Sequence, residues 1–365
     1  MAGGEFHNVK IVGLAGAVPK HIIRNHDWAG VLGEETIERI IRVTGVEQMH
    51  KALPEQTAGD LGYVAAAELL DKWQIDRTEI GALILVTSSP DYIFPATSYV
   101  IHKRLGLTQQ CMAFDIGLQC SGFVYGLHTC ASLLQSIKQR YLLLIVAEAF
   151  KYEDVMKRQN PDNSLAVLSG DAGIAMLLER VEEAPPINTE LYADGTDFKM
   201  MVRMGLNRGF GLPNEVTEWS DGKERSVYDP YMEGMGTFAF ATRKAPEAIR
   251  KFMQDTGTVK DDYDSLVLHQ ANRMIVERIA KQLHWEMSKV PLSITRYGNT
   301  SCASIPVTII DQLGAGNDKK IKKILSCGFG AGCSWGVASF GIEPECVLPM
   351  LETEDYFKEG IVTPF

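Results

Sequence analysis

Three side chains that lie far apart in the sequence form a set that could carry out nucleophilic catalysis. Cys120 stands between the apolar run 112–116 and a segment with apolar residues at helical spacing from Phe123. A cysteine at such a strand-to-helix junction lies beside unpaired backbone N–H groups and the positive end of a helix, which we expect to lower the pKa of its thiol. His269 and Asn299 could supply the hydrogen bonds that this nucleophile needs. We therefore expect folding to bring these three residues together.

The elements that must position these residues repeat in the two halves of the chain. A continuously apolar strand pattern, typical of a buried parallel sheet, precedes the Cys120 turn. A second strand pattern precedes the turn that carries Asn299. Leu83 precedes Cys120 by almost the same number of residues as Leu266 precedes Cys302. This repetition predicts a duplicated α/β unit whose strands end near one shared site.

The rest of the pattern predicts alternating strands and helices with one irregular segment between the halves. Strands are predicted at 9–17, 81–87, 112–116, 141–147, 165–168, 172–178, 264–268, 322–326 and 335–340. Helices are predicted at 34–42, 58–73, 97–105, 245–253, 274–283 and 307–313. Residues 180–235 show no clear period, and we interpret them as a linker strand and loops over the site.

The composition predicts a folded, acidic protein. Of the 365 residues, 45% are hydrophobic and 22% are charged, which allows a large core and argues against a disordered chain. The net charge of −10 disfavours a general nucleic-acid or anionic-membrane surface. The longest apolar run, 142–147, is too short to span a bilayer, and the N-terminus lacks signal-peptide features. Seven cysteines without a CxxC pair indicate reduced thiols and no zinc site, so we expect a cytoplasmic protein.

Six motifs together resemble one family of enzymes. They are Phe94–Ala96, Cys120–Phe123, Gly170–Gly173, His269–Asn272, Gly298–Ser301 and Gly328–Gly336. In this order, and over a span from about residue 9 to Phe340, the chain resembles the 3-oxoacyl-acyl-carrier-protein synthase III family of the thiolase superfamily. The resemblance implies an α/β, thiolase-like fold, with duplicated α/β halves in α-β-α-β-α layers. We expect residues 1–180 to form the half that carries Cys120, and 181–365 the half that carries His269 and Asn299, with a C-terminal tail from about 341.

The resemblance also implies a decarboxylating Claisen condensation. Cys120 would take the acyl group from a primer thioester, and the backbone N–H groups of Cys120 and Ala331 would form the oxyanion hole. His269 and Asn299 would hydrogen-bond the thioester oxygen of malonyl-acyl-carrier-protein while it loses carbon dioxide. The resulting carbanion would attack the acyl group on Cys120 and give a 3-oxoacyl thioester. No metal or organic cofactor is implied.

Partners are implied in the same way. In the family, the segment around Phe94 reaches the partner subunit's acyl pocket, so we expect a homodimer with a shared pocket wall. The helix after His269 would dock the acidic acyl-carrier protein through Arg273 and Lys281, which share a helical face that Glu277 interrupts. The primer would arrive as an acyl-coenzyme A or an acyl-carrier-protein thioester.

Two departures from the family indicate a specialised, secondary-pathway synthase. Arg39 stands where members that take coenzyme A primers have an adenine-binding tryptophan, and Val43 stands where they have an arginine. The chain also continues after Phe340 into a tail whose prolines predict an extended strap.

Two other functions fit the same motifs. An acyltransferase of this fold would pass the acyl group from Cys120 to an alcohol or amine without decarboxylation. A non-catalytic subunit of a heterodimeric synthase would typically lack the cysteine, so Cys120 argues against that function.

Overall fold

Two β-sheets separated and covered by helices form the framework of the protein. The structure is a computed structural model that describes residues 2–151, 156–158, 162–205, 211–212, 214–314 and 322–361. The described helices are α1 Ala29–Leu32, α2 Glu34–Thr44, α3 Ala58–Lys72, α4 Thr97–Arg104, α5 Gly122–Leu134, α6 Gly234–Asp255, α7 Arg273–Gln282, α8 Ile294–Tyr297 and α9 Ser304–Leu313. The strands of the first half are β1 Ala2–Phe6, β2 Val9–Pro19, β3 Ile22–Arg24, β4 Gln48–His50, β5 Ile80–Val86, β6 Met112–Ile116, β7 Tyr141–Glu148 and β8 Ala172–Arg180. Those of the second half are β9 Ile187–Ala193, β10 Met201–Val202, β11 Thr217–Glu218, β12 Glu224–Arg225, β13 Tyr231–Met232, β14 Ser265–Leu268, β15 Lys322–Gly330, β16 Ser334–Ile342 and β17 Leu351–Thr353.

The two large sheets share one core arrangement. The first has the order β17-β2-β8-β7-β5-β6, and the second has the order β1-β9-β16-β15-β14. In the first, β2, β8 and β7 are successively antiparallel and β7 is parallel to β5. In the second, β9, β16 and β15 are successively antiparallel and β15 is parallel to β14. The same order and directions in both sheets confirm the duplication that the sequence predicts.

The helices complete alternating layers. One core cluster joins α5 and α9 to the facing sides of both sheets. A second packs α3 and α4 on the outer side of the first sheet, and a third packs α6 and α7 on the outer side of the second. Every residue of β5 and β7 is buried, as expected for parallel strands covered on both faces. The layers therefore run α-β-α-β-α, as the resemblance implies.

Two segments differ from the sequence-based expectations. Residues 165–168 form turns instead of a strand, because this segment binds the chain around Asn299 instead of a sheet neighbour. Helix α6 begins at Gly234, eleven residues before the predicted start, since the Glu233 side chain caps it by accepting from the Gly236 N–H at 2.9 Å. Glycines in its first turn and Pro246 within it have low helix propensity, so the residue types alone do not predict the N-terminal part of this helix.

The terminal strands cross between the two halves. β1, at the start of the chain, pairs antiparallel with β9 of the second sheet. β17, in the tail, pairs parallel with the end of β2 in the first sheet. The described part of the tail otherwise contains two short 3₁₀ turns and no α-helix, which agrees with the predicted strap. A division of the chain at residue 180 therefore applies to the central strands of each sheet and not to the termini.

Candidate active site

Cys120 lies at the turn from β6 to α5, where the sequence predicts it. β6 ends at Ile116, and α5 begins at Gly122. The turn is packed against the second sheet, since a Cβ at Gly330 would lie 2.6 Å from the Cβ and 3.0 Å from the Sγ of Cys120. Glycine at the end of β15 therefore makes the room in which the thiol sits.

The predicted net shift of the Cys120 pKa is wrong in sign. Burial raises the pKa of Cys120 to about 12; a hydrogen bond with Ser301 lowers it, and the charge of Glu148 raises it further. A helix N-terminus stabilises a nearby charge by at most about 2 kcal/mol, so lost solvation has the larger effect here. The thiol is therefore neutral at rest, and its proton must leave when the sulfur attacks a substrate.

His269 follows β14 directly and is held as a neutral imidazole. Its backbone N–H donates to the Cys327 carbonyl at 2.9 Å, which extends the β14–β15 pairing by one residue. Its Nδ1 lies 2.7 Å from Ser304 Oγ, at the first turn of α9. Burial lowers the pKa of His269 to about 3, against the effect of a hydrogen bond with the Ser301 backbone. A neutral imidazole can donate one hydrogen bond without changing its charge.

The other polar residues of the His269 segment have structural contacts. Gln270 is fully buried, donates to the Leu268 carbonyl at 2.9 Å and accepts from the Ser293 N–H at 3.1 Å. Asn272 caps α7, accepting from the Ile275 N–H at 2.8 Å. These contacts hold the loop that turns His269 inward.

Asn299 is clamped by the segment that was expected to be a strand. Its N–H donates to the Leu168 carbonyl at 2.7 Å, and its carbonyl accepts from the Gly170 N–H at 3.1 Å. Gly170 is required at this close approach, because a Cβ there would lie 1.8 Å from the Tyr297 carbonyl oxygen. The side-chain Oδ1 of Asn299 accepts from the Ser301 N–H at 2.9 Å, which leaves the Asn299 NH₂ group as a donor toward a substrate.

Ser301 is the point at which the three predicted residues meet. Its Oγ lies 3.9 Å from Cys120 Sγ, its N–H binds the Asn299 side chain, and its backbone hydrogen-bonds His269. Ser301 has φ of 51°, in the left-handed region that non-glycine residues seldom adopt and that often occurs at functional sites. The structure thus places Cys120, His269 and Asn299 around one serine.

Sequence reasoning missed two residues of this site. Ser301 is the last residue of the Gly298–Ser301 motif, and no sequence signal reveals its left-handed backbone or its contacts with Cys120, His269 and Asn299. Glu148 is fully buried and hydrogen-bonds Ser301 Oγ at 3.2 Å. One signal could have found Glu148: it is a carboxyl at the end of the continuously apolar run 141–147.

Two further predicted residues, Ala331 and Phe94, lie on connections between secondary-structure elements. Ala331 directly follows Gly330, the residue that packs on Cys120, and begins the turn between β15 and β16. Phe94 lies on the loop between β5 and α4, where it is 84% exposed and its neighbour Ile93 is 85% exposed. Two adjacent large apolar side chains this open to solvent in a single chain are typical of an interaction surface.

Arg273 and Lys281, the two predicted docking residues, lie near opposite ends of α7. Arg273 begins the helix and is half-buried against Gly45, at which a Cβ would lie 2.8 Å from Arg273 Cβ. Lys281 is exposed near the other end of the helix. Arg39, on the neighbouring helix α2, is also exposed. Exposed cations therefore lie on α7 and on the neighbouring helix α2.

The described part of the chain contains neither a metal-binding cluster nor a membrane-spanning helix. Its His, Cys, Asp and Glu side chains nowhere form a group of three or more suited to a metal ion. None of its helices combines the length and the apolar character that crossing a bilayer requires.

Sequence and structural comparisons point to a single family. Residues 114–195 match the profile of 3-oxoacyl-[acyl-carrier-protein (ACP)] synthase III, and residues 253–342 match the profile of its C-terminal part. The beta-ketoacyl-[acyl-carrier-protein] synthase III of Alkalilimnicola ehrlichii is 32% identical over 334 residues, which cover 90% of this chain and 98% of that protein. Its counterpart in Neisseria meningitidis is 32% identical over 329 residues, covering 90% and 97%.

Comparison with solved structures points to the same family as the sequence comparisons. The crystal structure of a 3-oxoacyl-(acyl-carrier protein) synthase from Burkholderia xenovorans LB400 superposes with a TM-score of 0.86 and 27% identity, covering 96% of this chain and 99% of that one. From its sequence, its layered fold and the three residues gathered around Ser301, the chain belongs to the beta-ketoacyl-acyl-carrier-protein synthase III family of the thiolase superfamily.

Proposed function

We propose that this protein condenses an acyl thioester primer with malonyl-acyl-carrier-protein, with loss of carbon dioxide, through an acyl-Cys120 intermediate. The observation that carries the proposal is the arrangement around Ser301, where a buried thiol, a neutral imidazole and an oriented amide converge. One nucleophile and two uncharged donors match the needs of acyl transfer followed by decarboxylation.

In the first half-reaction Cys120 Sγ attacks the carbonyl carbon of the primer. The oxyanion that forms accepts hydrogen bonds from the backbone N–H groups of Cys120 and Ala331, which lie on facing turns. Collapse of this intermediate expels the carrier thiol and leaves the acyl group on Cys120. Gly330 allows the two turns to approach this closely.

In the second half-reaction the malonyl thioester loses carbon dioxide and its thioester oxygen becomes negative. His269 and the Asn299 NH₂ group each donate a hydrogen bond to that oxygen, and each donor contributes roughly 3 kcal/mol to lowering the barrier. Since burial keeps the pKa of His269 at about 3, the imidazole stays neutral at physiological pH. The carbanion then attacks acyl-Cys120 and gives the 3-oxoacyl thioester.

Partner binding forms a second part of the proposal. The exposed Phe94 and Ile93 support a homodimer in which this loop covers the partner subunit's acyl pocket. β6 is an edge strand of its sheet and is partly exposed along its whole length, so a second copy could extend the sheet there. Sedimentation should give a particle of twice the chain mass, and a fully active monomer would reject the dimer.

The test of the reaction combines two measurements on the purified protein. The protein is incubated with acyl-coenzyme A and acyl-carrier-protein donors of different chain lengths, and peptide mass mapping locates the acyl group. Release of labelled carbon dioxide from malonyl-carrier protein is followed in parallel. We expect acylation at Cys120 and carbon dioxide release coupled to a 3-oxoacyl product.

The Cys346→Ser variant is the control for acylation of a thiol other than Cys120. Cys346 is a half-buried thiol in the tail, so its replacement should leave both acylation and carbon dioxide release unchanged. Acylation of Cys120 that is discharged to an alcohol or amine without carbon dioxide release would favour the acyltransferase function instead. Absence of acylation with every donor would contradict both functions.

A further inference from the structure

Glu148 is a buried carboxyl one hydroxyl away from the nucleophile. It is the last residue of β7 and has no solvent exposure. Its Oε1 accepts from Ser88 Oγ at 2.9 Å and its Oε2 from Ser89 Oγ at 2.7 Å, with the Ser88 N–H at 3.2 Å from both. Within the described residues, no lysine, arginine or histidine forms an ion pair with it. A buried carboxyl served only by hydroxyl, thiol and amide donors is costly to keep ionised.

A continuous path joins this carboxyl to the thiol. Ser301 Oγ donates to Glu148 Oε1 at 3.2 Å and lies 3.9 Å from Cys120 Sγ. The Ser301 backbone is held by Asn299, so its hydroxyl keeps its position between the two groups. The hydroxyl can therefore accept a proton from sulfur while it passes its own proton to the carboxylate.

The nucleophile needs such an acceptor. Burial keeps the Cys120 thiol protonated, and His269 is a poor base because its pKa lies at about 3. Burial raises the pKa of Glu148 to about 7, against the effect of its hydroxyl donors. General bases work best when their pKa is close to the working pH.

We propose that Glu148 is a positioning residue that takes the Cys120 proton through the Ser301 hydroxyl as the thiol attacks the primer. The S–H bond of Cys120 breaks, Ser301 gains that proton and gives its own to Glu148 Oε1. The sulfur lone pair forms the new C–S bond, and the bond to the carrier thiol breaks. Glu148 then gives this proton back through the Ser301 hydroxyl to the departing carrier thiolate, so the carrier leaves as a thiol and Glu148 is again a carboxylate. The inference rests on the proposed role of Cys120 as nucleophile.

The groups facing Glu148 define the pH dependence. Besides Thr87, Ser88, Ser89 and Ser301, the Cys302 thiol lies 3.6 Å from Oε1, and burial raises its pKa well above the usual value, so it stays neutral. Because the acceptor must be ionised, Cys120 should become reactive as the pH rises through about 7.

Alkylation of Cys120 by iodoacetamide tests the relay without any acyl donor. The rate at Cys120 is followed by peptide mass from about pH 5 to about pH 9. In the wild type we expect a rise with a midpoint near 7. In Glu148→Gln, which keeps the shape and removes the acceptor, we expect the rate at about pH 8 to fall roughly 10²-fold, without the neutral midpoint. If Glu148 acted only through its negative charge, the same variant would react faster, because that charge disfavours the thiolate.

Two further variants make the result decisive. Ser301→Ala leaves the carboxyl in place and cuts the path, so it should lose the neutral midpoint as well. Ser88→Ala removes a donor to the same carboxyl but leaves the path intact, so it should keep the midpoint and move it to higher pH. An unchanged or faster alkylation in Glu148→Gln, or a neutral midpoint that persists in Ser301→Ala, would overturn the proposal. Since no condensation is measured, these outcomes are separate from failure of the proposed reaction.

Discussion

The turn that carries Cys120 and the turn that carries Asn299 occupy matching places in two copies of one α/β unit, yet they are built differently. In the first half, β6 pairs with β5 and extends the sheet up to the Cys120 turn. In the second half no described strand pairs with β14 at the corresponding edge, and the chain instead forms helix α8 and a single bridge from Asn299 to Ser169. One turn is held by its own sheet, whereas the other is held by the opposite half.

The difference shows how a duplicated scaffold forms one asymmetric site. The first copy places the Cys120 thiol against β15 of the second copy, where the missing side chain of Gly330 leaves space for the sulfur. In the second copy no described strand extends the sheet beyond β14, and the Asn299 backbone instead hydrogen-bonds residues 168–170 of the first copy. We infer that the first turn serves acyl transfer and the second serves decarboxylation, and the predictions that follow test this division.

The largest effect is expected at the first turn. Cys120→Ala should abolish acylation, with a loss of condensation of about 10⁴-fold or more, because the variant lacks the proposed nucleophile. The same variant should still release carbon dioxide from malonyl-carrier protein, since His269 and Asn299 remain in place. Acyl mapping and labelled carbon dioxide release measure the two steps separately. Loss of both activities in a folded Cys120→Ala protein would contradict the division.

A smaller effect is expected at the second turn. Asn299→Asp keeps an oxygen facing the Ser301 N–H but replaces the NH₂ donor by an acceptor. Carbon dioxide release should fall about 10²–10³-fold, while Cys120 is still acylated. Asn272→Asp is the matched control, because that side chain caps α7 only through its Oδ1 atom. Equal losses in the two variants would show that the amide has no special role.

Removal of the partner of His269 should have a moderate effect. Ser304→Ala deletes the hydroxyl 2.7 Å from Nδ1, and one such hydrogen bond contributes about 1 kcal/mol. Carbon dioxide release should therefore slow by roughly tenfold or less. Ser293→Ala removes an equally buried hydroxyl, paired with Thr308 of α9, and should leave the rate unchanged. A slower rate in the control alone would exclude a role of Ser304 in holding the imidazole.

The smallest effect is expected on the surface of the second half. Reversing the charges of Arg273 and Lys281 to glutamate should raise the KM for the carrier-linked substrate by roughly fivefold, since one exposed ion pair contributes roughly 0.2–1 kcal/mol and only Lys281 is exposed. The kcat should change little, and the effect should shrink at high salt. Lys72→Glu, an exposed reversal on α3, is the control. An unchanged KM would exclude α7 as the docking helix.

Local sequence patterns predicted a large part of this architecture. The all-apolar runs of β5 and β7, the turn at Cys120 and the repeated order of elements each follow from residue periodicity, and the structure contains all of them. The same reasoning failed where a segment's partner lies far away in the sequence. Residues 165–168 look like a strand but bind the Asn299 turn, and α6 begins among glycines that a side-chain cap compensates.

The sequence by itself determined which chemical groups are present and on which turns they lie, because hydrophobic period and turn residues act over a few neighbours. Only the tertiary structure decided how those groups behave. Burial made the Cys120 thiol a weaker acid despite its helix, kept His269 neutral and placed Glu148 within one hydroxyl of the sulfur. Solvation and hydrogen bonding depend on every segment that packs around a group, so they follow from the completed fold.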